Sequence, residues 1–190
     1  MFFWAIGWHE QANRGKTSTQ SMATGTPLSR DETSGKPLFW RTLMRELYGL
    51  YLKLGNERFS EKICEIVPYF ATIAPQFIDL RPGYAAVSMP NRHAVHNHLG
   101  TVHAIAMCNL AEIAAGLMAD VSVSDSSRWI PTGMQVQYLT KAKTDLQAVA
   151  DGLTIDWENP GNKDLPVSII DAAGVEVCRA VITIRIDSGQ

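Results

Sequence analysis

The most constraining feature of this sequence is an apolar segment, residues 102–119, that carries a single carboxylate at Glu112. A helix that is apolar on nearly every side belongs inside a protein. An ionised carboxylate there costs free energy unless it is paired, hydrogen-bonded or used in chemistry. The segment follows a polar loop, residues 97–103, which is rich in Asn, His and Gly. This arrangement favours a chemical use for Glu112.

The rest of the chain shows helical periodicity first and alternation of apolar and polar residues later. We predict an amphipathic helix over 38–54 that stops at Gly55, and a second helix over 59–70 that ends near Pro68. The predicted strands cover residues 77–80, 84–89, 134–138, 148–157, 166–171 and 182–187, with a further short strand at 121–123.

Short connections between successive strands predict antiparallel pairing, with about four strands in a meander after the apolar helix. Because this helix must be covered on every side, the sheet has to curve strongly around it. The predicted fold class is therefore α+β, a curved antiparallel sheet wrapped around one long central helix, with helices at the N-terminal side.

Length and composition indicate one globular domain. The chain has 190 residues, 46% of them hydrophobic, and a net charge of -2. Neither the net charge nor the scattered basic residues suit binding to nucleic acid or to a membrane surface. Residues 1–8 are apolar but too short to cross a bilayer, and residues 11–36 are polar without periodicity. We therefore expect a disordered leader over 1–36 and a single domain over 37–190.

The three cysteines, Cys64, Cys108 and Cys178, are far apart in the sequence and form no CxxC pair. This pattern predicts reduced thiols in a cytoplasmic protein. His96, His98 and His103 lack the i, i+4 spacing of helical metal ligands, so no metal site is expected.

The spacing of three polar residues resembles that of a known family. Asn97 precedes His103 by six residues, and Glu112 follows nine residues later within a Leu-Ala-Glu triplet. This pattern, with Gly100 between the first two, resembles the PaaI-like acyl-CoA thioesterases of the hotdog superfamily, over about residues 60–187. It is also close to a branch of hotdog proteins grouped only as a domain of unknown function. The family usually has His-Gly-Gly where this chain has His103, Ala104 and Ile105.

The resemblance implies a thioesterase site in which Asn97, the N–H of Ala104 and Glu112 act on the substrate. Backbone N–H groups at a helix start, here those of His103, Ala104 and Ile105, can hold a thioester oxygen. Glu112 can act as general base or as nucleophile. The alternatives are a partly exposed Glu112, an Asn97 that only caps a turn and a structural His103. Gly100 can supply a positive φ for the loop.

Helix geometry adds a prediction about assembly. Nine residues separate His103 from Glu112, which corresponds to a rotation of about half a turn and a rise of roughly 13 Å. The two residues cannot face one pocket within one subunit. We therefore predict a homodimer, or a tetramer built on it, with composite active sites.

Further candidates concern substrate binding. Asn109 and Gly116 share a helix face with Glu112. Asn109 can orient the carboxylate or bond to backbone, and Gly116 can leave room for an acyl chain or for close packing of the sheet. The basic candidates for coenzyme A phosphates are Arg128, Lys141 and Lys143, and His98 is a further candidate for substrate binding.

The function predicted on these grounds is hydrolysis of an acyl-CoA thioester, with coenzyme A as part of the substrate and no cofactor. Two other functions remain open. A hotdog hydratase or dehydratase would pair His98 with Glu112, although its proline-rich loop is missing between them. A non-catalytic acyl-CoA binding module is favoured by the absence of Gly after His103.

Overall fold

The computed structural model describes residues 46–188, and the predicted leader over 1–36 lies outside this range. The described residues form two α-helices, two short 3₁₀ turns and six strands in one sheet. In chain order these elements are α1 Leu47–Ile66, a 3₁₀ turn Phe70–Ile73, β1 Gln76–Arg81, β2 Tyr84–Met89, a 3₁₀ turn His93–Val95, α2 Ala104–Ser122, β3 Ser127–Tyr138, β4 Leu146–Asp151, β5 Gly161–Asp171 and β6 Glu176–Ser188.

The sheet is antiparallel throughout, with the order β1-β2-β4-β5-β6-β3. The strands β4, β5 and β6 form the predicted meander. The prediction that β3 belongs to the same meander is wrong, because β3 pairs with β6 and ends the sheet. These two strands are similar in length, 12 and 13 residues, and they pair from Ser127 opposite Ser188 to Tyr138 opposite Cys178. The six-residue β4 offers β3 a much shorter partner.

The long helix α2 lies inside the curve of this sheet and contacts all six strands. Twelve of its residues are buried. The hotdog architecture expected from the sequence is therefore confirmed. By length and composition alone α2 could also cross a membrane. Here the sheet supplies the apolar surroundings that such a helix requires.

Helix α1 packs against β1, at one edge of the sheet, and is interrupted at the predicted position. Gly55 has φ 71° and ψ 173°, a non-helical conformation, but the helix resumes at once and ends at Ile66, before Pro68. Phe59 is fully buried, and its ring meets that of Phe77 in β1 edge to face at 5.0 Å. Part of the predicted first helix, residues 38–45, lies outside the described residues.

Two predicted strand segments are wrong. Residues 121–123 are not a strand, because Val121 and Ser122 complete α2 and Val123 is its C-cap. Residues 153–157 are not the end of β4, which stops at Asp151. There the Trp157 indole folds back and donates its N–H to the Gly152 carbonyl at 3.0 Å, so the alternating apolar side chains belong to a turn.

Candidate functional site

The loop before α2 is organised by the side chain of Asn97. Its Oδ1 accepts hydrogen bonds from the backbone N–H groups of Leu99, at 2.9 Å, and Thr101, at 3.2 Å. Its Nδ2 donates to the Thr101 hydroxyl at 2.9 Å, and Gly100 turns the chain with φ 71°. In this structure Asn97 therefore fixes the shape of the loop that delivers His103, which is the turn-capping alternative considered above.

His103 is the N-cap of α2 and uses its side chain to close the first turn. Its Nδ1 accepts a hydrogen bond from the Ile105 N–H at 3.0 Å, so the neutral ring carries its proton on Nε2. Its backbone N–H donates to the Val95 carbonyl at 2.8 Å. The expectation that three N–H groups stand free is therefore wrong for His103 and Ile105. The N–H of Ala104 has no acceptor among the described residues.

A cavity of about 190 Å³ opens beside this first turn. Three kinds of element form its wall: the start of α2, the 3₁₀ segment after α1 and the loop before α2. Its lining includes Tyr69, Thr72, His96, His103, Ile105 and Asn109. Glu112 does not line this cavity. His103 lines it and Glu112 does not, so within one copy of the chain this cavity does not bring the two residues together.

Asn109 points away from Glu112 and into contact with the 3₁₀ segment. It is only 5% exposed, and its Nδ2 donates to the Thr72 hydroxyl at 3.3 Å and more weakly to the Tyr69 carbonyl at 3.5 Å. The idea that it orients the Glu112 carboxylate is not supported by these contacts. Its Oδ1 is buried without a hydrogen-bond partner among the described residues.

Glu112 lies on the one face of α2 that the sheet leaves partly uncovered. Ile105, two turns before it, and Cys108, one turn before it, share this face and are exposed and half-buried, respectively. Burial raises the pKa of the Glu112 carboxyl from its ordinary value near 4.5 to about 7. Within residues 46–188 the carboxyl forms no hydrogen bond or ion pair. It is therefore a half-buried carboxylate that can exchange a proton near neutral pH.

A third polar network fixes His96, which the sequence analysis considered only as a metal ligand. Asn91 donates its amide N–H to the Lys143 carbonyl at 2.8 Å, so its Oδ1 must be the acceptor for His96 Nε2 at 2.6 Å. His96 is among the residues that line the cavity. No local pattern could have found this network, because the partners lie as far as 52 residues apart.

The other predicted binding residues are not among those that line the cavity. Lys141 and Lys143 are exposed on the β3–β4 connection, which touches the loop before α2 through the Val102 N–H and the Ala142 carbonyl, 2.9 Å apart. Arg128 lies at the opposite end of α2, at the start of β3. His98 is exposed in the loop.

Gly116 is buried beneath Trp129 of β3. A Cβ at this position would lie 3.7 Å from the indole ring, which is ordinary van der Waals contact. Gly116 therefore packs against the sheet, and it is not among the residues that line the cavity.

Solved structures share this architecture. The structural-genomics protein APC5556 is 50% identical, with a TM-score of 0.72 over 77% of this chain and 99% of that one. PA5026 from Pseudomonas aeruginosa, described as a protein of unknown function and probable thioesterase, is 21% identical, with a TM-score of 0.60 over 66% of this chain and 90% of its own. Thioesterase HI1161 from Haemophilus influenzae is 13% identical, with a TM-score of 0.59 over 67% and 87%.

At 21% and 13% identity the last two comparisons establish a thioesterase-like hotdog fold and nothing finer. A comparison with functionally curated proteins returned no match. The model of one family, the domain of unknown function DUF4442, matches residues 55–186. This match covers more than half of the sequence, and the chain belongs to the DUF4442 family.

Proposed function

We propose that this protein hydrolyses acyl-CoA thioesters, with Glu112 as the general base. The observation that carries the proposal is the state of Glu112, a half-buried carboxylate without a partner among residues 46–188, on the uncovered face of α2 and with a pKa of about 7. A general base is most effective when its pKa lies near the working pH. The likeness of the fold to PA5026 and HI1161, a probable thioesterase and a thioesterase, agrees with this reaction class.

The proposed reaction begins with the thioester oxygen at the free N–H of Ala104, where the helix macrodipole also favours negative charge. The Glu112 carboxylate takes a proton from a water molecule, whose oxygen adds to the thioester carbon. When the resulting tetrahedral intermediate collapses, the carbon–sulfur bond breaks. The leaving thiolate takes the proton back from Glu112, which releases the free acid and the coenzyme A thiol.

His103 supports the same step in two ways. By capping α2 it fixes the direction of the Ala104 N–H. Because His103 lines the cavity, we propose its Nε2–H as a second donor to the thioester oxygen or to the pantetheine arm. Lys141 and Lys143, exposed beside the loop, are the proposed partners for coenzyme A phosphates. Asn97 and Gly100 act by holding the loop in place, and no cofactor takes part.

We propose that the two halves of the site come from two copies of the chain, because Glu112 does not line the cavity beside this turn and lies eight residues beyond Ala104, a rise of about 12 Å along α2. Among the described strands β3 has β6 as its single partner, so one edge of its 12 residues is open. Beside this edge lie large exposed side chains: Ile130 at 38%, Tyr138 at 51% and Leu139 at 47% exposed. An open edge of this kind favours pairing with another strand. We therefore propose a homodimer through β3, alone or as the unit of a tetramer.

The proposal also fits a cytoplasmic protein. All three cysteines of the sequence lie within the described residues, and all are free thiols. Such thiols are typical of a reducing compartment, where acyl-CoA substrates are also found.

The decisive experiment is a panel of acyl-CoA substrates with a reagent that detects the released thiol. We expect thiol release by the wild type and a fall of kcat by at least about 100-fold in Glu112→Gln. Glu65→Gln, an exposed carboxylate paired with Lys62, is the matched control and should keep full activity. Full activity of Glu112→Gln would disprove the mechanism, and no thiol release from any substrate would disprove the function.

A further inference from the structure

The partly uncovered face of α2 is bounded on both sides of Glu112 by aromatic side chains of β3. Cys108 and Gly116 lie one turn before and one turn after Glu112 on the same helix face. The Tyr138 hydroxyl lies 3.2 Å from the Cys108 Sγ, and the Trp129 indole lies 3.7 Å from the position of a Cβ added at Gly116. Glu112 therefore lies between two aromatic contacts that are about 12 Å apart along the helix axis.

A bulge in β3 allows both aromatic side chains to face the helix. Trp129 and Tyr138 are nine positions apart, and strict alternation along a strand would turn them to opposite faces of the sheet. The pairing of β3 with β6 shifts by one residue between Pro131 and Gly133, which restores a common face. The two contacts with α2 are therefore a consequence of the register of this strand.

The part of β3 between the two aromatic residues is apolar where it faces α2. Met134 and Val136 share the face of Tyr138, because they lie four and two positions before it, and both pack partly buried against the hydrophobic core. No charged residue occurs between Trp129 and Tyr138. We call the space between α2 and this part of β3, with Glu112 at its middle, the helix–strand groove. Its apolar wall suits a hydrocarbon group.

The two ends of the helix–strand groove differ. Beyond Trp129 the helix is covered, since Gly116 and the three residues that follow it are buried. Beyond Tyr138 the next residue on this helix face is Ile105, which is 55% exposed. A ligand that is too long for the groove can therefore extend only past Tyr138.

The proposed dimer determines which part of the substrate meets this groove. The copy that supplies the Ala104 N–H also supplies Lys141 and Lys143, the proposed partners of coenzyme A phosphates, so the coenzyme A arm leaves the thioester on that side. The acyl group then follows α2 of the copy that supplies Glu112. Four residues separate Glu112 from Cys108, a rise of about 6 Å, which holds roughly four to five carbons of an extended chain.

We propose that the helix–strand groove binds the acyl group and that Tyr138, by its contact with Cys108, restricts the substrate to short, uncharged acyl groups. The inference rests on the thioesterase function proposed above and names its substrate class. Tyr138 is a specificity-determining residue in this scheme and takes no part in breaking the thioester.

The test compares butyryl-CoA with decanoyl-CoA on the wild type and on Tyr138→Ala. For the wild type we expect a kcat/KM for butyryl-CoA at least about 10-fold above that for decanoyl-CoA. In Tyr138→Ala the kcat/KM for decanoyl-CoA should rise at least about 10-fold, because the groove then continues to Ile105. The matched control is Tyr84→Ala, which truncates a tyrosine that packs under the Arg81 guanidinium and should keep the wild-type ratio.

Equal kcat/KM values for the two substrates in the wild type, or an unchanged ratio in Tyr138→Ala, would overturn the inference while leaving the thioesterase function intact. If Tyr138→Ala does not fold or dimerise, the ratio in the wild type still decides.

If no acyl-CoA is hydrolysed, the function itself fails, and binding then tests the groove. Calorimetry compares S-butyl-CoA with S-decyl-CoA, two thioethers that keep the coenzyme A arm. Weaker binding of S-decyl-CoA by the wild type, recovered in Tyr138→Ala, supports the inference. Equal binding of the two thioethers, or binding of neither, overturns it.

Discussion

At the scale of single residues, the site is determined by which polar groups are already engaged. His103 closes the first turn of α2 with its imidazole, and this leaves the Ala104 N–H as the free donor of that turn. The side chain of Asn97 forms hydrogen bonds within the loop. In the part of the chain that the structure describes, Glu112 has no such partner, and burial raises the pKa of its carboxyl to about 7. Two of the motif residues thus build the site, and the carboxylate is left for the chemistry.

The raised pKa of Glu112 predicts the pH dependence of the reaction. A general base works only when deprotonated, so kcat/KM should rise about ten-fold per pH unit below pH 7 and level off above it. Rates with a good acyl-CoA substrate between pH 5 and 9 measure this profile. A flat profile across pH 6–8 would contradict Glu112 as the base.

The ionisation of the Glu112 carboxyl should also change the free energy of unfolding. Because the folded-state pKa is above 4.5, the protonated carboxyl favours the folded state, and this contribution is lost as the pH rises towards about 7. Glu112→Gln should therefore be more stable than the wild type at pH 8, by on the order of 2 kcal/mol, and nearly equal at pH 4.5. Urea unfolding at both pH values measures the difference, and an equal difference at both would contradict the assignment.

The sequence predicted the motif residues but not how they are engaged. The spacing of Asn97, His103 and Glu112 is a local pattern, and helix geometry alone separated the last two. Whether the Ile105 N–H is free depends on the rotamer of His103, which no spacing reveals. The partners of Asn109 lie 37 and 40 residues away in a segment whose position over α2 is a tertiary fact.

At the scale of elements, periodicity predicted what is local and failed where pairing is long-range. The apolar segment forms α2, and Pro82 and Gly83 join β1 to β2 as an antiparallel pair, as the short connection between the two predicted strands indicated. The position of β3 beside β6 could not be read from the chain, because it depends on matching strand lengths about 50 residues apart. The alternation at residues 153–157 led to a wrong strand prediction, because a turn can also bury alternate side chains.

Helix α1 provides an element-scale prediction with its own control. Gly55 has φ 71° and ψ 173°, a region that essentially only glycine occupies, so Gly55→Ala should cost about 1–3 kcal/mol. Gly49 lies in the same helix with helical geometry and no atom within 4 Å of an added Cβ. Gly49→Ala should therefore gain about 0.5–1 kcal/mol. Urea unfolding of both variants tests the pair, and destabilisation by both would contradict this reading of the kink.

At the scale of the whole molecule, the fold leaves one strip of an otherwise buried helix exposed. The sheet covers α2 on most sides, and the strip with Ile105, Cys108 and Glu112 remains partly open. Cys108 reaches the Tyr138 hydroxyl at the end of β3 at 3.2 Å, so this strip runs towards the open edge of the sheet. A second copy that pairs along β3 would cover the strip and bring its own α2 close to Glu112. The site and the proposed dimer are therefore one hypothesis.

Mixing two inactive variants tests this hypothesis directly. Ala104→Pro removes the free N–H at the first position of α2, where proline is well tolerated. His103 already has the extended conformation, φ -67° and ψ 140°, that the residue before proline requires. The variant should fold normally and lose about 100- to 1,000-fold in kcat. Ala104→Gly keeps the N–H and should remain active.

In a random mixture of Ala104→Pro and Glu112→Gln chains, half of the dimers are mixed. If each site takes its N–H from one chain and its carboxylate from the other, every mixed dimer has one intact site out of two. Activity should then recover to about a quarter of the wild-type value after co-expression or refolding together. If each chain builds its own site, no mixed dimer contains an intact site, and the mixture stays as inactive as its parts.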